Sequence, residues 1–161
     1  MQPRAATEEP GDLSSVRILI VEARFYADIA DALLTGATRA LENVRAVFDR
    51  VSVPGSLEIV PAIAMALDAA DGTQQPYEGV VALGCVIRGE TLHFDSVAQQ
   101  SARALLDLSV ARRLPMGNGI LTVDNEAQAR MRASPQEGDK GGEAVRATLS
   151  LVRLKRALAK R

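Results

Sequence analysis

Three short apolar runs, each trailed by a stretch of helical spacing, constrain this chain more than anything else in it. Val16–Val21 (VRILIV) is nearly continuous and rich in β-branched residues, the pattern of a parallel strand covered on both faces. Gly79–Leu83 (GVVAL) is another short buried run and Met116–Val123 (MGNGILTV) reads as a further strand, while Val44–Val53 alternates, with Val47, Val51 and Val53 among polar neighbours. Tyr26–Leu41 sets Ile29, Leu33, Leu34, Ala37 and Leu41 on one helical face. Leu57–Ala70, Leu92–Val110 and Glu126–Ala133 also read as helices, with Pro54-Gly55-Ser56 breaking the second strand and Gly84 ending the third. Beyond a polar loop, Ser134–Lys140, a last helix runs from about Gly142 to the C-terminus behind a stripe of Val145, Leu149 and Val152. Strands alternating with helices predict an α/β fold: a three-layer sandwich in which a four-stranded parallel sheet is flanked by helices on both faces, through right-handed crossovers.

The length, 161 residues, fits one domain. Residues 1–15 lack apolar periodicity and read as a flexible tail, leaving 16–161 as a single domain. A net charge of −1 argues against a general nucleic-acid binder. The total conceals a basic end, since residues 139–161 carry seven Lys/Arg against two Asp/Glu. The lone Cys85 excludes an intrachain disulfide and a cysteine-rich zinc site, and the lone His93 excludes a multi-histidine metal centre. The longest apolar stretch, Ile59–Leu67, is far short of the roughly 20 residues that span a bilayer. Residues 1–15 contain no apolar segment of the kind that directs secretion. A reduced cytoplasmic compartment, with neither membrane nor nucleic acid as partner, is the expectation.

Open α/β sheets bind ligands outside the carboxyl ends of their strands. Four segments therefore matter: Glu22–Tyr26, Pro54–Glu58, Gly84–His93 and Thr122–Asn125. The third leaves a buried strand, crosses Gly84 and Gly89, and enters a helix near Thr91. Thr is a favoured N-cap, and the free N–H groups of a helix start attract anions, phosphate above all. Arg88 adds a permanent forked cation. The same residues also describe a capped helix with solvated Arg88 and Glu90, and the motif matches neither a Walker loop nor a dinucleotide fingerprint. His93 stands one turn into the helix, and imidazole is the side chain that exchanges protons near neutral pH; a hydrogen-bonded surface histidine is the plainer account. Ser56 is placed to cap the second helix, with Glu58 in its first turn, where acids are also favoured electrostatically. Phe25 and Tyr26 stand ready to stack on a flat ring or to pack beneath the sheet.

Taken in order, Arg24-Phe25, Pro54-Gly55-Ser56-Leu57-Glu58, Val86-Ile87-Arg88-Gly89-Glu90-Thr91-Leu92-His93, Gly119–Asn125, Arg132 and Lys140-Gly141 resemble the lumazine synthase family over residues 16–158. The resemblance implies a flavodoxin-like fold and the penultimate step of riboflavin biosynthesis. In that step 5-amino-6-(D-ribitylamino)uracil condenses with 3,4-dihydroxy-2-butanone 4-phosphate to 6,7-dimethyl-8-ribityllumazine. It also implies roles. Phe25 stacks on the pyrimidine, and Ser56, Leu57, Glu58, Val86, Ile87 and Asn118 complete the pyrimidine and ribityl subsite. Gly89, Glu90, Thr91 and Arg132 hold the phosphate, with Arg88 and Lys140 as further candidates, and His93 is the general acid/base. No metal or cofactor is implied. The family points to a homopentamer with interfacial active sites and, as a candidate partner, riboflavin synthase. Leu57 and Asn118 stand where many members carry aromatic residues. Glu137-Gly138-Asp139-Lys140 departs from the commoner Gly-Asn-Lys loop, which favours a free pentamer over a shell. A non-catalytic flavin or lumazine binder, a protein shell, a phosphosugar isomerase and a receiver domain are the competing readings; only Glu22 resembles the acidic cluster that a receiver requires.

Overall fold

A computed structural model describes residues 13–161. The expected tail falls largely on residues 1–12, outside the described residues, whereas Leu13 is buried in the core. The β-branched run forms β1 (Arg17–Ala23), and the other strands are β2 (Val47–Val53), β3 (Gly79–Ile87) and β4 (Met116–Val123). They make one sheet in the order β2-β1-β3-β4, every pair parallel. The helices are α1 (Ala27–Asn43), α2 (Ile59–Asp71), α3 (His93–Arg112), α4 (Glu126–Ala133) and α5 (Lys140–Ala159). Successive strand residues face opposite sides, so each central strand feeds two cores. Ile18, Ile20, Val81 and Leu83 pack with Leu33, Ala37, Val145 and Leu149 of α1 and α5, and with α4. Leu19, Val21, Val80 and Ala82 pack with Ile59, Ile63, Val97 and Leu105 of α2 and α3. The three-layer α/β sandwich is as predicted.

Burial explains the order of the strands. β1 and β3 are buried along nearly their whole length, while β2 stays half-exposed at one edge. A fully buried Val, Leu or Ile contributes about 1.5–3 kcal/mol, so the most continuous apolar runs occupy the centre. α5 lies directly on α1, because a Cβ at Gly141 would meet the Leu33 carbonyl.

Several boundaries differ from expectation. Gly84 does not end β3: pairing with β4 continues from Gly84–Ile120 to Ile87–Val123. The packing there is close: a Cβ would lie 3.1 Å from both Ile59 Cδ1 and Ser56 Oγ, which would have to give by a few tenths of an ångström. Val44 belongs to the end of α1, followed by Arg45 with a φ of 60°, so β2 begins at Val47. Ser56 caps no helix but is buried at the start of a 3-10 turn, Ser56–Glu58, which delays α2 to Ile59. Thr91 is not the N-cap of α3; that position is Leu92, and the Thr91 hydroxyl accepts from the His93 N–H at 3.3 Å. The last helix starts early, at Lys140, because Asp139 takes a left-handed φ of 44° and accepts from the Gly142 N–H at 3.3 Å.

Candidate functional site

The carboxyl ends of β2, β1 and β3 are adjacent, so three loops converge there. The turn after β1 carries Phe25, which is 73% exposed and meets Tyr26 edge-to-face with ring centroids 4.9 Å apart. The 3-10 turn after β2 carries Ser56, buried, with Leu57 and Glu58 exposed. Glu22, the last but one residue of β1, aligns with Leu83, so β3 outruns β1 by three residues, about 10 Å. Val86 and Ile87 lie in this overhang, paired with β4 on one side and lacking a β1 partner on the other. Val86 sends its side chain into the α2/α3 core.

The loop Arg88–Leu92 leaves this overhang and enters α3 at His93. The Arg88 N–H donates to the Val123 carbonyl at 2.8 Å. The N–H groups of Gly89, Glu90 and Thr91 donate to no acceptor among the described residues. All three residues are exposed and immediately precede Leu92 and His93, which are exposed as well. Open amides at a helix entrance suit an anion. Arg88 is engaged elsewhere. Its Nε donates to Asp124 Oδ1 at 2.9 Å, Asp95 lies 3.8 Å from Nη1, and the guanidinium sits 4.5 Å from the Phe94 ring centre. That hydrogen bond raises the Arg88 pKa and holds the Asp124 carboxyl below its usual range. Arg88 therefore ties the ends of β3 and β4 to the first turn of α3.

Arg132, Lys140 and Asn118 form a second group. Arg132, in the last turn of α4, makes no ion pair among the described residues. It lines a groove of about 340 Å³ with Arg88, Phe94 and Asp95, and a second of about 360 Å³ with Asn118, Thr122 and Lys140. Lys140 is paired with Glu143 at 3.3 Å. Asn118 accepts from the Ile120 N–H at 2.9 Å and lies opposite Ala82, five residues short of the end of β4. At strand spacing that is about 16 Å from the carboxyl edge. Within one chain, then, Phe25, Ser56, Glu58 and His93 share an edge, and Asn118 does not join them.

The structure gives contacts to residues for which the sequence reading offered no role of their own. Asp124 and Asp95 hold Arg88, and Asn125 caps α4 by accepting from the Gln128 N–H at 2.9 Å. Glu22, in β1, is wholly buried with a carboxyl group. Asn125 carried a legible signal, since Asn before a helix is a favoured cap. The Arg88–Asp124 pair spans 36 residues and had none. Cys85 is buried, which pushes its thiol up to about 11.

These features define an open-sheet α/β protein whose candidate site lies in its carboxyl-edge loops. Residues 15–156 match the family model for 6,7-dimethyl-8-ribityllumazine synthase. The chain is 54% identical over 157 residues to 6,7-dimethyl-8-ribityllumazine synthase 1 of Rhodopseudomonas palustris, covering 98% of this chain and 96% of that protein. It is 57% identical over 157 residues to the Nitrobacter hamburgensis synthase, with the same coverage. Against synthase 1 of Rhizobium meliloti it is 60% identical over 146 residues, 91% of this chain and 95% of the relative. The chain belongs to the 6,7-dimethyl-8-ribityllumazine synthase family, transferases of riboflavin biosynthesis. No helix among the described residues is long and apolar enough to cross a membrane.

Proposed function

We propose that residues 16–161 act as one catalytic domain that condenses 5-amino-6-(D-ribitylamino)uracil with 3,4-dihydroxy-2-butanone 4-phosphate. The products are 6,7-dimethyl-8-ribityllumazine, phosphate and water. The observation that carries this reading is the set of unengaged amides at Gly89–Thr91 in the exposed loop that leads into α3 at His93. An anion bound to those amides puts the rest of a phosphorylated ketone beside the imidazole. Arg132 supplies the matching cation, since Arg88 is held by Asp124. Phe25 offers its exposed face to the pyrimidine, and Ser56, Leu57 and Glu58 meet the ribityl chain. The open edge of β3 near Val86 and Ile87 meets the ring edge.

The chemistry needs little else. The amine of the pyrimidine attacks the ketone, and loss of water gives an imine. Proton removal beside the imine expels phosphate, and the second amine closes the ring with loss of another water. His93 takes and returns the protons. A positioned base contributes typically 10²–10⁴-fold, and holding two reactants in attack geometry can contribute roughly 7–11 kcal/mol. Positioning is the larger share, which suits a site with one imidazole and no activated nucleophile. Mixing the purified protein with both substrates tests the reading: accelerated appearance of the lumazine absorbance and fluorescence is expected. A rate equal to the spontaneous condensation overturns it, and lumazine binding without acceleration identifies a binder instead.

The position of Asn118 supports a site shared between copies. It lies too far from Phe25 on its own chain, while Phe25, Leu57 and Leu92 leave apolar surface exposed at the carboxyl edge. In this reading Asn118 and Arg132 of one copy complete the edge of its neighbour within a homopentamer in the cytoplasm.

A further inference from the structure

Among the described residues, Glu22 is the one carboxylate that the proposed chemistry leaves unused yet the fold buries completely. Its Oε1 accepts from Arg24 Nη1 at 2.9 Å and from Ser52 Oγ at 3.1 Å, and pairs with Arg50 Nε at 3.0 Å. Its Oε2 has no hydrogen-bond partner among the described residues. Burying a charged carboxylate costs several kcal/mol, and an apolar residue of similar volume is often the more stable choice. Its partners show what it holds. Arg24 also pairs with Asp31 of α1, and its own N–H donates to the Val53 carbonyl at 3.1 Å. The residue immediately before Phe25 is thus fixed to β1, β2 and α1 at once. The N-cap of α1, Tyr26, makes no side-chain capping bond, and besides Arg24 only the exposed Arg130–Asp28 pair, at 3.6 Å, fastens its first turn by charge among the described residues.

We infer that Glu22 is a positioning residue of the pyrimidine subsite: acting through Arg24, it sets the angle at which Phe25 presents its ring. This rests on the reading of Phe25 as the heterocycle platform. A displacement of about 1 Å at such a platform is enough to cost tenfold or more. The contact lies on the pyrimidine side of the site, so the phosphate side is spared.

Two variants test it, Glu22→Gln, which keeps the volume, and Asp31→Asn, which cuts the exposed end of the same chain of contacts and leaves the core untouched. The dissociation constant for 6,7-dimethyl-8-ribityllumazine, read from its fluorescence, is measured for wild type and both variants, with KM for each substrate and kcat alongside. Glu22→Gln is expected to weaken lumazine binding and raise the pyrimidine KM by about tenfold, and Asp31→Asn by about threefold. The KM of the phosphorylated ketone stays within about twofold in both, and the double variant is no worse than Glu22→Gln alone, as for residues acting in one chain of contacts. Equal rises in both KM values, or unchanged lumazine binding in Asp31→Asn and a folded Glu22→Gln, overturn the inference. If Glu22→Gln does not fold, Asp31→Asn decides alone. Wild-type protein that binds the lumazine without turnover defeats the proposed catalysis while the dissociation constants still decide the role of Glu22. Wild-type protein that binds no lumazine defeats both.

Discussion

His93 and Arg132 carry opposite kinds of work, and their variants separate them. His93 opens α3 exposed beside the Gly89–Thr91 amides and is bonded through its own N–H to Thr91. Replacing it removes proton transfer and leaves the reactants held, so His93→Ala is expected to lower kcat by about 10- to 100-fold without abolishing turnover. Stopped assays with both substrates saturating check this. Arg132 is a cation with no ion-pair partner among the described residues, so Arg132→Ala costs binding. The KM of the phosphorylated ketone rises about tenfold or more, as for loss of a charge-assisted contact worth about 1.5–3 kcal/mol, while the pyrimidine KM holds. Initial rates over a matrix of substrate concentrations show the split. The sequence made His93 a candidate by type and position, and the family resemblance made Arg132 one. It did not show that Arg88 is consumed by Asp124 and Asp95, because a side chain is free or engaged only once its neighbours are fixed.

At the scale of elements, local pattern was most informative where one influence dominates. β4 and α4 fall on the predicted residues, where Ile120–Val123 supplies a short apolar and β-branched run in one and no turn signal interrupts Glu126–Ala133 in the other. β3 was misread because Gly84 is a turn signal in isolation, and pairing with β4 overrides it. Two predictions belong here. Gly141 lets α5 lie on the Leu33 carbonyl of α1. Alanine gains up to about 1 kcal/mol in helix propensity, but separating two packed helices costs about 1–3 kcal/mol. Gly141→Ala is therefore expected to lower the urea midpoint. At the other end of the sheet, Tyr77 Oη donates to Asp49 Oδ2 at 2.7 Å and Arg17 joins it, which together hold the Asp49 carboxyl below its usual range. A depressed carboxylate adds stability that is present above its unfolded value, near about 4, and lost as pH falls through its folded value. Between about pH 5 and pH 2, wild type should lose more stability than Asp49→Asn, measured by urea titrations followed by circular dichroism.

For the whole molecule, the separation of Asn118 from Phe25 and the exposed Phe25, Leu57 and Leu92 make assembly part of the proposed site. Size-exclusion with light scattering is expected to give about five times the 17.1 kDa chain mass, the free pentamer that the resemblance favours. A monomer carrying full activity, or particles of megadalton mass, would contradict it. What the sequence determined by itself is the layered parallel sheet and the residue types that follow its strands, because periodicity records how each segment is buried. Only the tertiary structure decided that Glu22 is sealed inside the sheet with Arg24, Arg50 and Ser52, that Arg88 is spent on Asp124, and that Asn118 stands apart. Those outcomes depend on pairings between residues up to 36 positions apart, and electrostatic and hydrogen-bond partners at that separation leave no trace in a local pattern.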